Sequence, residues 1–264
     1  SKIIFLKDFK KNKEYYKNKK KSEKINFNKK RLIQKKTFTK INQKKISTKN
    51  LDDDFRRYLQ FQIATKNKKI LDFGCGWGGF LNNIKNSKKL YGLEVRDDCV
   101  DFIKKKIKKI KIFNNFNQIN EKFDLITMFH VLEHIPEPVK LLKKIREKLN
   151  NNGRIILEVP HAKDFLINLE ELKEFKDFTF WSEHLILHTE ESIKKFLAIS
   201  GFKNMKISYF QRYGFDNHLY WFIKKKPGGH EYFNMYSDNE INNIYKNYLQ
   251  KNKISDTIMV EAKI

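Results

Sequence analysis

The chain has 264 residues, 40% of them hydrophobic, which suits one α/β domain with an extension rather than two full domains. No run approaches the ~18 apolar residues of a membrane span, no signal peptide is recognised, and two cysteines provide no disulfide framework, so we expect a cytoplasmic protein. The net charge of +25 is compatible with a nucleic-acid partner, but only seven of the 56 basic residues are arginine, the better bidentate phosphate ligand, so we expect a small anionic or carbohydrate substrate instead.

The positive charge is concentrated at the N-terminus. Residues 1–50 contain 19 lysines or arginines and three acidic residues, a net charge of +16. Aromatic residues are interspersed among the lysines, which is not typical of a disordered tail. We predict a basic N-terminal arm over 1–50, which either covers an active site or is a solvated, partly ordered extension. A single folded domain is predicted over 51–264.

From residue 51 onward, helices and strands alternate. Apolar residues recur at intervals of four at Leu51, Phe55, Leu59 and Ile63 and predict a helix over 51–65. Strands are predicted at 69–73, 89–94, 111–113, 123–129 and 154–159, and helices at 77–85, 97–108 and 139–149. Thr189 can cap a further helix that ends before residue 201. This alternation predicts a parallel sheet covered by helices on both faces.

The C-terminal part contains a predicted insertion. Strands are expected at 205–210 and 258–264, and they would pair across an insertion at about 212–254. Within it, the apolar run 219–223 fits a strand or a helix by periodicity alone. An N-cap at Asp216 or Asn217 favours a helix, as does the stop signal that follows the run. A second helix is predicted over 239–249.

A glycine-rich turn follows the first strand of the folded domain. Gly74 and Gly76 lack a Cβ atom, so backbone amides of this turn can approach a ligand closely. The helix that follows would direct its positive end at the same ligand. Glu94 ends the next strand, where its carboxylate can accept hydrogen bonds from both hydroxyls of a ribose. These features predict a cofactor that contains a nucleoside.

A dinucleotide-binding fold would look similar, since Gly74, Gly76 and Gly79 satisfy the G-x-G-x-x-G fingerprint. Two features favour a different cofactor. Asp72 lies two residues before the first glycine, where its carboxylate can hold the turn or a water near an ammonium group. A hydride-transferring enzyme has no need of that carboxylate. The second feature is the Met-Phe-His-Val-Leu-Glu-His-Ile-Pro segment at 128–136, where the fourth strand ends.

In combination these segments resemble class I S-adenosylmethionine-dependent methyltransferases. The resemblance covers about 51–210 and rests on the Asp-x-Gly-x-Gly-x-Gly turn, Glu94, the Val-Leu-Glu-His-Ile-Pro segment, the strand at 155–160 and the Gly201-Phe202 turn. It implies an α/β, Rossmann-like seven-stranded sheet of order 3-2-1-4-5-7-6 with strand 7 antiparallel. It also implies S-adenosylmethionine as cofactor and S-adenosylhomocysteine as product. More loosely, the tail resembles a bacterial subgroup associated with surface-polysaccharide biosynthesis.

The resemblance further implies a cofactor pocket at the carboxyl ends of the first four strands. Asp72 would lie near the amino group of the cofactor, and Glu94 would bind its ribose. The other residues expected against the cofactor are Gly74, Cys75 and Gly76 in the turn, Asn115 and Phe116 beside the adenine, and Phe129 and His130 beside the methionine part.

Methyl transfer from a sulfonium is an in-line displacement, so the enzyme aligns the acceptor and removes a proton if the acceptor is a hydroxyl. The candidate bases are His134, His161 and His184, and His184, in an aromatic-rich loop, is favoured. Each has a structural alternative, since His134 can brace its loop together with Glu133. We interpret His188 as structural.

No metal is assigned from the sequence. His130, Glu133, His134 and His184 nevertheless form a set that could bind a divalent ion, as two histidines and a carboxylate do in some metal-dependent methyltransferases of RNA ends.

The insertion carries the candidate substrate-binding residues. Tyr213, His218 and His230 combine aromatic and hydrogen-bonding groups, which suits a sugar or nucleotide acceptor. The neighbouring apolar residues are predicted to pack in the interior, and they are Leu219, Trp221 and Phe222.

We therefore expect methyl transfer to a hydroxyl or amine of a carbohydrate, or of a phosphorylated precursor of a bacterial surface glycan. Two rival functions stay open. One is an RNA methyltransferase that uses the basic arm to bind phosphate, and the other is a noncatalytic module that binds the cofactor. A dehydrogenase is a more distant alternative. The sequence leaves the oligomeric state open.

Overall fold

The computed structural model describes residues 4–5, 53–181, 184–233 and 238–264. Of the basic arm predicted over 1–50, Ile4 and Phe5 fall in this set, and the rest of the arm lies outside the described residues. The strands are β1 (Ile4–Phe5), β2 (Lys69–Phe73), β3 (Lys89–Leu93), β4 (Ile110–Phe113), β5 (Phe123–Phe129), β6 (Leu149–Pro160), β7 (Ile186–Leu187), β8 (Lys203–Phe210) and β9 (Thr257–Lys263).

The helices are α1 (Asp53–Thr65), α2 (Gly79–Asn83), α3 (Asp97–Lys106), α4 (Pro138–Glu147), α5 (Lys173–Trp181), α6 (Glu190–Ile199), α7 (Phe215–Lys224), α8 (Gly229–Tyr232) and α9 (Asn239–Lys251). Two short 3-10 turns, Phe116–Gln118 and Leu132–His134, follow β4 and β5. None of the described helices combines the length and apolar character needed to cross a bilayer.

Seven strands form one sheet in the order β4-β3-β2-β5-β6-β9-β8. The strands from β2 to β6 pair in parallel, and β9 runs antiparallel to both β6 and β8. When the two-residue strands β1 and β7 are left out of the numbering, this order is 3-2-1-4-5-7-6. The predicted Rossmann-like methyltransferase sheet is therefore confirmed.

Strand β5 shows why this sheet is covered on both faces. Ile126 and Met128 pack in one hydrophobic core, whereas Leu125 and Phe129 pack in the other. Alternate side chains of a strand point to opposite faces, so a central strand between two helical layers is apolar throughout. The carboxyl ends of β2, β3, β5 and β6 consequently meet at one edge, where a ligand can bind.

Helix α1 lies where the sequence predicts it, but its buried face is not the predicted one: Phe61 supplies its buried apolar contact, at 4% exposure. Ile63 is 87% exposed, and Arg56 and Arg57 are buried instead. Both guanidinium groups donate to the carboxylate of Glu158 in β6, at distances of 2.6 to 3.2 Å. A buried carboxylate needs such partners. The pairing with Glu158 and the burial of Phe61 therefore orient α1, and burial of Ile63 does not.

Other helix boundaries differ from the prediction. Helix α2 has five residues instead of nine, because Gly78 at its N-cap takes a left-handed φ of 76°. A helix this short supplies a weaker dipole than the sequence suggests, so the turn amides are its main contribution to anion binding. Helices α5 and α8 were not predicted, and α5 occupies part of the segment that was interpreted as an aromatic-rich loop.

The capping predictions had different outcomes. Thr189 accepts a hydrogen bond from the Ser192 amide at 3.2 Å and caps α6, as predicted. Helix α7 begins after Gly214 without a side-chain cap, so the predicted cap at Asp216 or Asn217 was wrong. Gly214, with an extended backbone, is the N-cap instead, two or three residues earlier than the sequence suggests.

The N-terminal strand β1 pairs with β7. Ile4 lies opposite Leu187 and Phe5 opposite Ile186, in an antiparallel arrangement. Strand β7 begins two residues after His184. The start of the chain is thus attached beside a segment that carries a candidate catalytic residue.

Candidate active site

The glycine-rich turn lies at the carboxyl end of β2, under the edge of β3. The amides of Gly74 and Cys75 donate to the Leu93 carbonyl oxygen at 2.8 and 3.0 Å. Gly74 has a φ of +78°, and a Cβ atom there would collide with Cγ2 of Val131. Gly76 has a φ of +52°, and among the described residues no heavy atom lies within 4 Å of where its Cβ would stand. The turn therefore leaves room for a ligand above Gly76.

Glu94 lies beside this turn at the end of β3. Its Oε2 accepts a hydrogen bond from the Gly76 amide at 2.8 Å, and its Oε1 accepts one from the Arg96 amide at 3.0 Å. A carboxylate has about four acceptor positions, so two remain after these bonds. The geometry fits the predicted contact with two ribose hydroxyls.

Asp72 is buried within the sheet below the turn. Thr127 of β5 donates its hydroxyl to Oδ1 of Asp72 at 2.7 Å. Burial disfavours the ionised carboxylate and raises the pKa of Asp72 to about 7, against the effect of the Thr127 hydrogen bond. A cationic ammonium group nearby would favour the ionised form.

The two residues expected beside the adenine follow β4. Oδ1 of Asn115 accepts a hydrogen bond from the Asn117 amide at 3.0 Å and caps the 3-10 turn. The ring of Phe116 packs 5.5 Å from the ring of Phe73, the last residue of β2. Phe116 is thus brought to the glycine-rich turn, whereas the side-chain oxygen of Asn115 has a structural partner.

Phe129 has a packing function that the sequence did not indicate. Its ring lies 5.0 Å from that of Phe80 and 6.1 Å from that of Phe61, between helices α1 and α2. Cys75 is buried as well, and burial raises the pKa of its thiol well above the usual range. Both cysteines of the chain are free thiols.

His130 follows β5 with a φ of 54°, which is uncommon for a residue with a side chain. Its Nδ1 lies 3.2 Å from Oε1 of Glu133, and its Nε2 lies 3.1 Å from Oε1 of Glu158. Both nitrogens donate to a carboxylate only if the ring is protonated. Burial and the charge of Arg212 oppose that form, but the two hydrogen bonds outweigh them and raise the pKa of His130.

These contacts form a buried row of alternating charges. Arg56 and Arg57 neutralise Glu158, Glu158 holds His130, and His130 holds Glu133. The pKa of Glu158 is well below its usual value, because the hydrogen bond from His130 and the two arginines outweigh its burial. The row connects α1 to the loop after β5.

The row ends at a cluster of Glu133, His134 and His184. The Leu185 amide donates to the Glu133 carbonyl oxygen at 2.7 Å, which ties the chain after α5 to the 3-10 turn. The rings of His134 and His184 lie 5.1 Å apart. Their Nε2 atoms lie 3.9 and 4.0 Å from Oε1 of Glu133. The structure thus brings together two of the three predicted catalytic histidines.

The electrostatics of this cluster favour a charged Glu133 and a neutral His184. Glu133 is 0% exposed, but its hydrogen bond from His130 and the neighbouring histidines outweigh burial and lower its pKa to about 2. Burial lowers the pKa of His184 to about 4, so its imidazole is neutral at pH 7. The donor atoms of the three side chains lie within 4.8 Å of one another, close enough to hold a metal ion.

His161 is not part of this cluster. It is 1% exposed, and its Nδ1 donates to the Ser255 carbonyl oxygen at 3.0 Å. Burial lowers its pKa to about 4. His188 is also buried, with Nδ1 3.3 Å from Oγ of Ser192, which agrees with the structural interpretation of that residue. We therefore leave His161 out of the candidate catalytic residues.

The predicted substrate-binding residues of the insertion separate in the structure. His218 is 2% exposed, its Nδ1 lies 2.9 Å from the Tyr245 hydroxyl, and its ring stacks on Phe165, so it packs between α7 and α9. Tyr213 is 40% exposed and accessible to a ligand. The side chain of His230 lies outside the described residues.

The apolar residues of α7 also differ from one another. Trp221 is buried against Leu166 and Leu172, as predicted. Phe222 is 40% exposed, so its predicted interior packing was wrong. It follows Trp221 by one residue, and consecutive side chains on a helix point about 100° apart.

The charged row contains the residues that sequence reasoning missed. Arg56, Arg57 and Glu158 were not assigned a function, and neither was Arg212, which donates to Oδ2 of Asp53 at 2.6 Å. A signal was present in the sequence, because Glu158 interrupts the apolar run at 155–159. A charged residue in a buried strand predicts a partner of opposite charge, although not which one.

A profile of the methyltransferase domain family matches residues 44–207. An uncharacterized protein of Methanocaldococcus jannaschii is 37% identical over 145 residues, which cover 52% of this chain and 57% of that protein. A ubiquinone biosynthesis O-methyltransferase of Coxiella burnetii is 27% identical over 109 residues, or 38% and 46% of the two chains. A tRNA U34 carboxymethyltransferase of Aliarcobacter butzleri is 24% identical over 181 residues, which cover 62% of this chain and 58% of that protein. The matches span about half the length of these relatives.

The fold is shared with solved structures. A SAM-dependent methyltransferase from Archaeoglobus fulgidus superimposes with a TM-score of 0.50 at 19% identity, covering 80% of this chain and 92% of that one. The family profile extends over more than half of the chain. This chain therefore belongs to the methyltransferase domain family, a family of S-adenosylmethionine-dependent enzymes.

Proposed function

We propose that this chain transfers a methyl group from S-adenosylmethionine to an oxygen or nitrogen of a small acceptor. The observation that carries the proposal is the position of the Glu133, His134 and His184 cluster. The cluster follows β5, which pairs directly with β2, and β2 leads into the glycine-rich turn. A cofactor bound to the glycine-rich turn would therefore lie next to the cluster of Glu133, His134 and His184.

The pocket around the turn fits the cofactor. Gly76 faces open space, Glu94 has acceptor positions for the ribose hydroxyls, and Asp72 is a buried carboxylate near the expected ammonium group. When bound, S-adenosylmethionine supplies a methyl group that is already activated by its sulfonium. The protein then contributes alignment and proton removal.

At the acceptor, His134 and His184 would receive the hydroxyl or amine group. A lone pair of the acceptor atom forms the bond to the methyl carbon, the carbon–sulfur bond breaks with its electrons on sulfur, and the acceptor proton passes to the cluster or to water. Glu133 orients the histidines and carries the negative charge that balances the proton.

For the finer assignment, we propose a carbohydrate acceptor, namely a sugar or phosphorylated precursor of a bacterial surface glycan, methylated in the cytoplasm. It is supported by the resemblance of the tail, by the net charge of +25, which suits a phosphorylated compound, and by the exposed ring of Tyr213. The alternative is an RNA acceptor. It is favoured by the likeness to a tRNA-modifying relative and by the lysine-rich arm.

The first experiment is calorimetric titration with S-adenosylmethionine, S-adenosylhomocysteine and NAD. Micromolar binding of the first two is expected, weakened at least tenfold in Glu94→Ala. The matched control is Glu137→Ala, an exposed carboxylate paired only on the surface with Lys140, which should bind normally. Preference for NAD would contradict the proposal.

The acceptor is then tested with radiolabelled S-adenosylmethionine against sugar nucleotides, free sugars and tRNA. Incorporation into a sugar nucleotide, lost in His134→Asn while S-adenosylhomocysteine still binds, is the expected result. Incorporation into tRNA alone, with binding that weakens steeply as salt is raised, would favour the RNA alternative. Cofactor binding without transfer to any acceptor would favour a noncatalytic module.

A further inference from the structure

We propose that Glu133, His134 and His184 bind a divalent transition-metal ion, and that this ion holds the acceptor oxygen. The statement about the acceptor rests on the proposed function, whereas the statement about metal binding does not. Each side chain offers one donor atom, and the three atoms lie within 4.8 Å of one another. Two imidazole nitrogens and one carboxylate oxygen are a common ligand set for zinc and related ions.

The separations are close to those around a bound ion. The Nε2 atoms of His134 and His184 lie 3.9 and 4.0 Å from Oε1 of Glu133. Donor atoms about 2.1 Å from one ion stand roughly 3 to 3.5 Å apart. Each donor would therefore move by roughly half an ångström, which small side-chain rotations can supply.

Glu133 provides a second and independent reason. Its side chain is completely buried, and its Oε2 has no hydrogen-bond partner within 53–181, 184–233 or 238–264. An unsatisfied oxygen on a buried carboxylate is costly and calls for a ligand. The two histidines lie 3.9 and 4.0 Å from Oε1, the other oxygen of this carboxylate, so an ion held by both oxygens of Glu133 would also satisfy Oε2.

The surroundings resemble those of a metal ligand. His130 donates to Oε1 of Glu133 and is itself held by Glu158, which two arginines neutralise. Such partners fix the orientation of a ligating carboxylate. The Leu185 amide also bonds to the Glu133 backbone, so His184 is kept near the other two ligands although it lies about 50 residues away in sequence.

Three protein ligands leave at least one coordination position for another group. An acceptor hydroxyl in that position loses its proton more readily, because the cation stabilises the resulting oxyanion. With the ion bound, the two histidines act as its ligands instead of as proton acceptors. The oxygen then attacks the methyl carbon, the oxygen–carbon bond forms, the carbon–sulfur bond breaks with its electrons on sulfur, and the released proton passes to water. No oxidant or reductant is needed.

The test is metal binding by the full chain after treatment with a chelator. Cobalt(II) is titrated in, and its visible ligand-field bands are followed, with metal content measured after dialysis for cobalt and for zinc. We expect one ion per chain. His134→Asn and His184→Asn should weaken binding at least about tenfold. His218→Gln removes a buried histidine outside the cluster and should bind as the wild type, and circular dichroism checks that each variant is folded.

Four outcomes can be distinguished. Binding that is lost in the two cluster variants and kept in His218→Gln supports the metal site. Absence of bound cobalt and zinc in the wild type overturns it, as does binding that persists in the His134→Asn/His184→Asn double variant. If the metal site is overturned in either way but the wild type still binds S-adenosylhomocysteine, the methyltransferase proposal stands. Conversely, metal binding without cofactor binding supports the site and contradicts the proposed function.

Discussion

At the scale of single residues, the cofactor pocket depends on a carboxylate whose acidity is set by burial. Within the part of the chain that the structure describes, the hydroxyl of Thr127 donates a hydrogen bond to the buried carboxylate of Asp72. A carboxyl group in water titrates near pH 4, whereas burial raises the pKa of Asp72 to about 7. A ligand with an ammonium group would prefer the ionised form, so cofactor binding should be linked to proton release.

The first prediction is a pH-dependent cofactor affinity. Binding of the ammonium group lowers the pKa of Asp72 below 7, so affinity should fall as pH decreases from 7.5 to 5.5, by up to about tenfold per unit. Calorimetry with S-adenosylhomocysteine at several pH values measures this slope. Asp72→Asn should bind more weakly and without the slope. A wild-type affinity that stays constant over this range would contradict the assignment.

The second prediction separates two glycines of the turn. Gly74→Ala introduces a Cβ atom that collides with Val131, so the free energy of unfolding should fall by about 2–3 kcal/mol. Gly76→Ala meets open space, so it should cost about 1 kcal/mol of backbone strain but reduce cofactor affinity by partly filling the pocket. Urea denaturation and calorimetry on both variants provide the comparison. An equal loss of unfolding free energy in Gly74→Ala and Gly76→Ala would contradict this prediction.

At the scale of secondary-structure elements, charges join α1 to the carboxyl ends of β5 and β6. Arg56 and Arg57 extend from α1 to Glu158 in β6, and Glu158 holds His130 after β5. Buried ion pairs contribute little net stability when complete, because desolvation offsets attraction, but removing one partner leaves the others uncompensated. Glu158 is therefore the carboxylate on which the charged contacts of α1 with the sheet depend.

The third prediction concerns that carboxylate. Glu158→Gln keeps the shape of the side chain but removes the charge that neutralises two arginines and His130, so the free energy of unfolding should fall by about 3–5 kcal/mol. Glu261→Gln is the matched control, since its partner Arg154 lies 3.9 Å away and both are about one-third exposed. Urea denaturation at pH 7 measures both. A loss for Glu158→Gln no larger than for the control would show that α1 is held by apolar contacts instead.

At the scale of the whole molecule, the sheet brings sequence-distant segments to one edge, and β1 attaches the N-terminus there. Strand β1 pairs with β7, and β7 follows His184. We propose on this ground that the pairing of β1 with β7 supports the segment that carries His184.

The fourth prediction tests the attachment. Phe5→Pro removes a backbone amide and distorts the pairing with Ile186, so the KM for the acceptor should rise severalfold while the Kd for S-adenosylhomocysteine stays unchanged. Phe5→Ala keeps the amide and serves as the control. Steady-state kinetics with the acceptor that the radiolabelling screen reveals provide the measurement. Unchanged KM in Phe5→Pro would mean that the pairing of β1 with β7 does not contribute to acceptor binding.

The parts of the fold that were predictable are those with a local signature. The strands at 69–73 and 123–129 were predicted with their observed bounds, because apolar runs between turn residues define them. The Thr189 cap and the glycine-rich turn were also readable, since each depends on neighbours within a few residues. Helix α5 was missed although Phe175, Phe178 and Trp181 recur at intervals of three, a spacing that fits one face of a helix.

By itself the sequence determined the order of strands and helices, the cofactor-binding turn and the family, because these depend on periodicity, glycine positions and short motifs. Only the tertiary structure decided which charges meet. Arg56 and Arg57 lie about 100 residues from Glu158, and His134 lies 50 residues from His184. The pairing of buried charges follows from where the strands end in space, and local spacing carries no record of it. For the same reason His161 and His218 became interior residues, since burial depends on the elements packed over them.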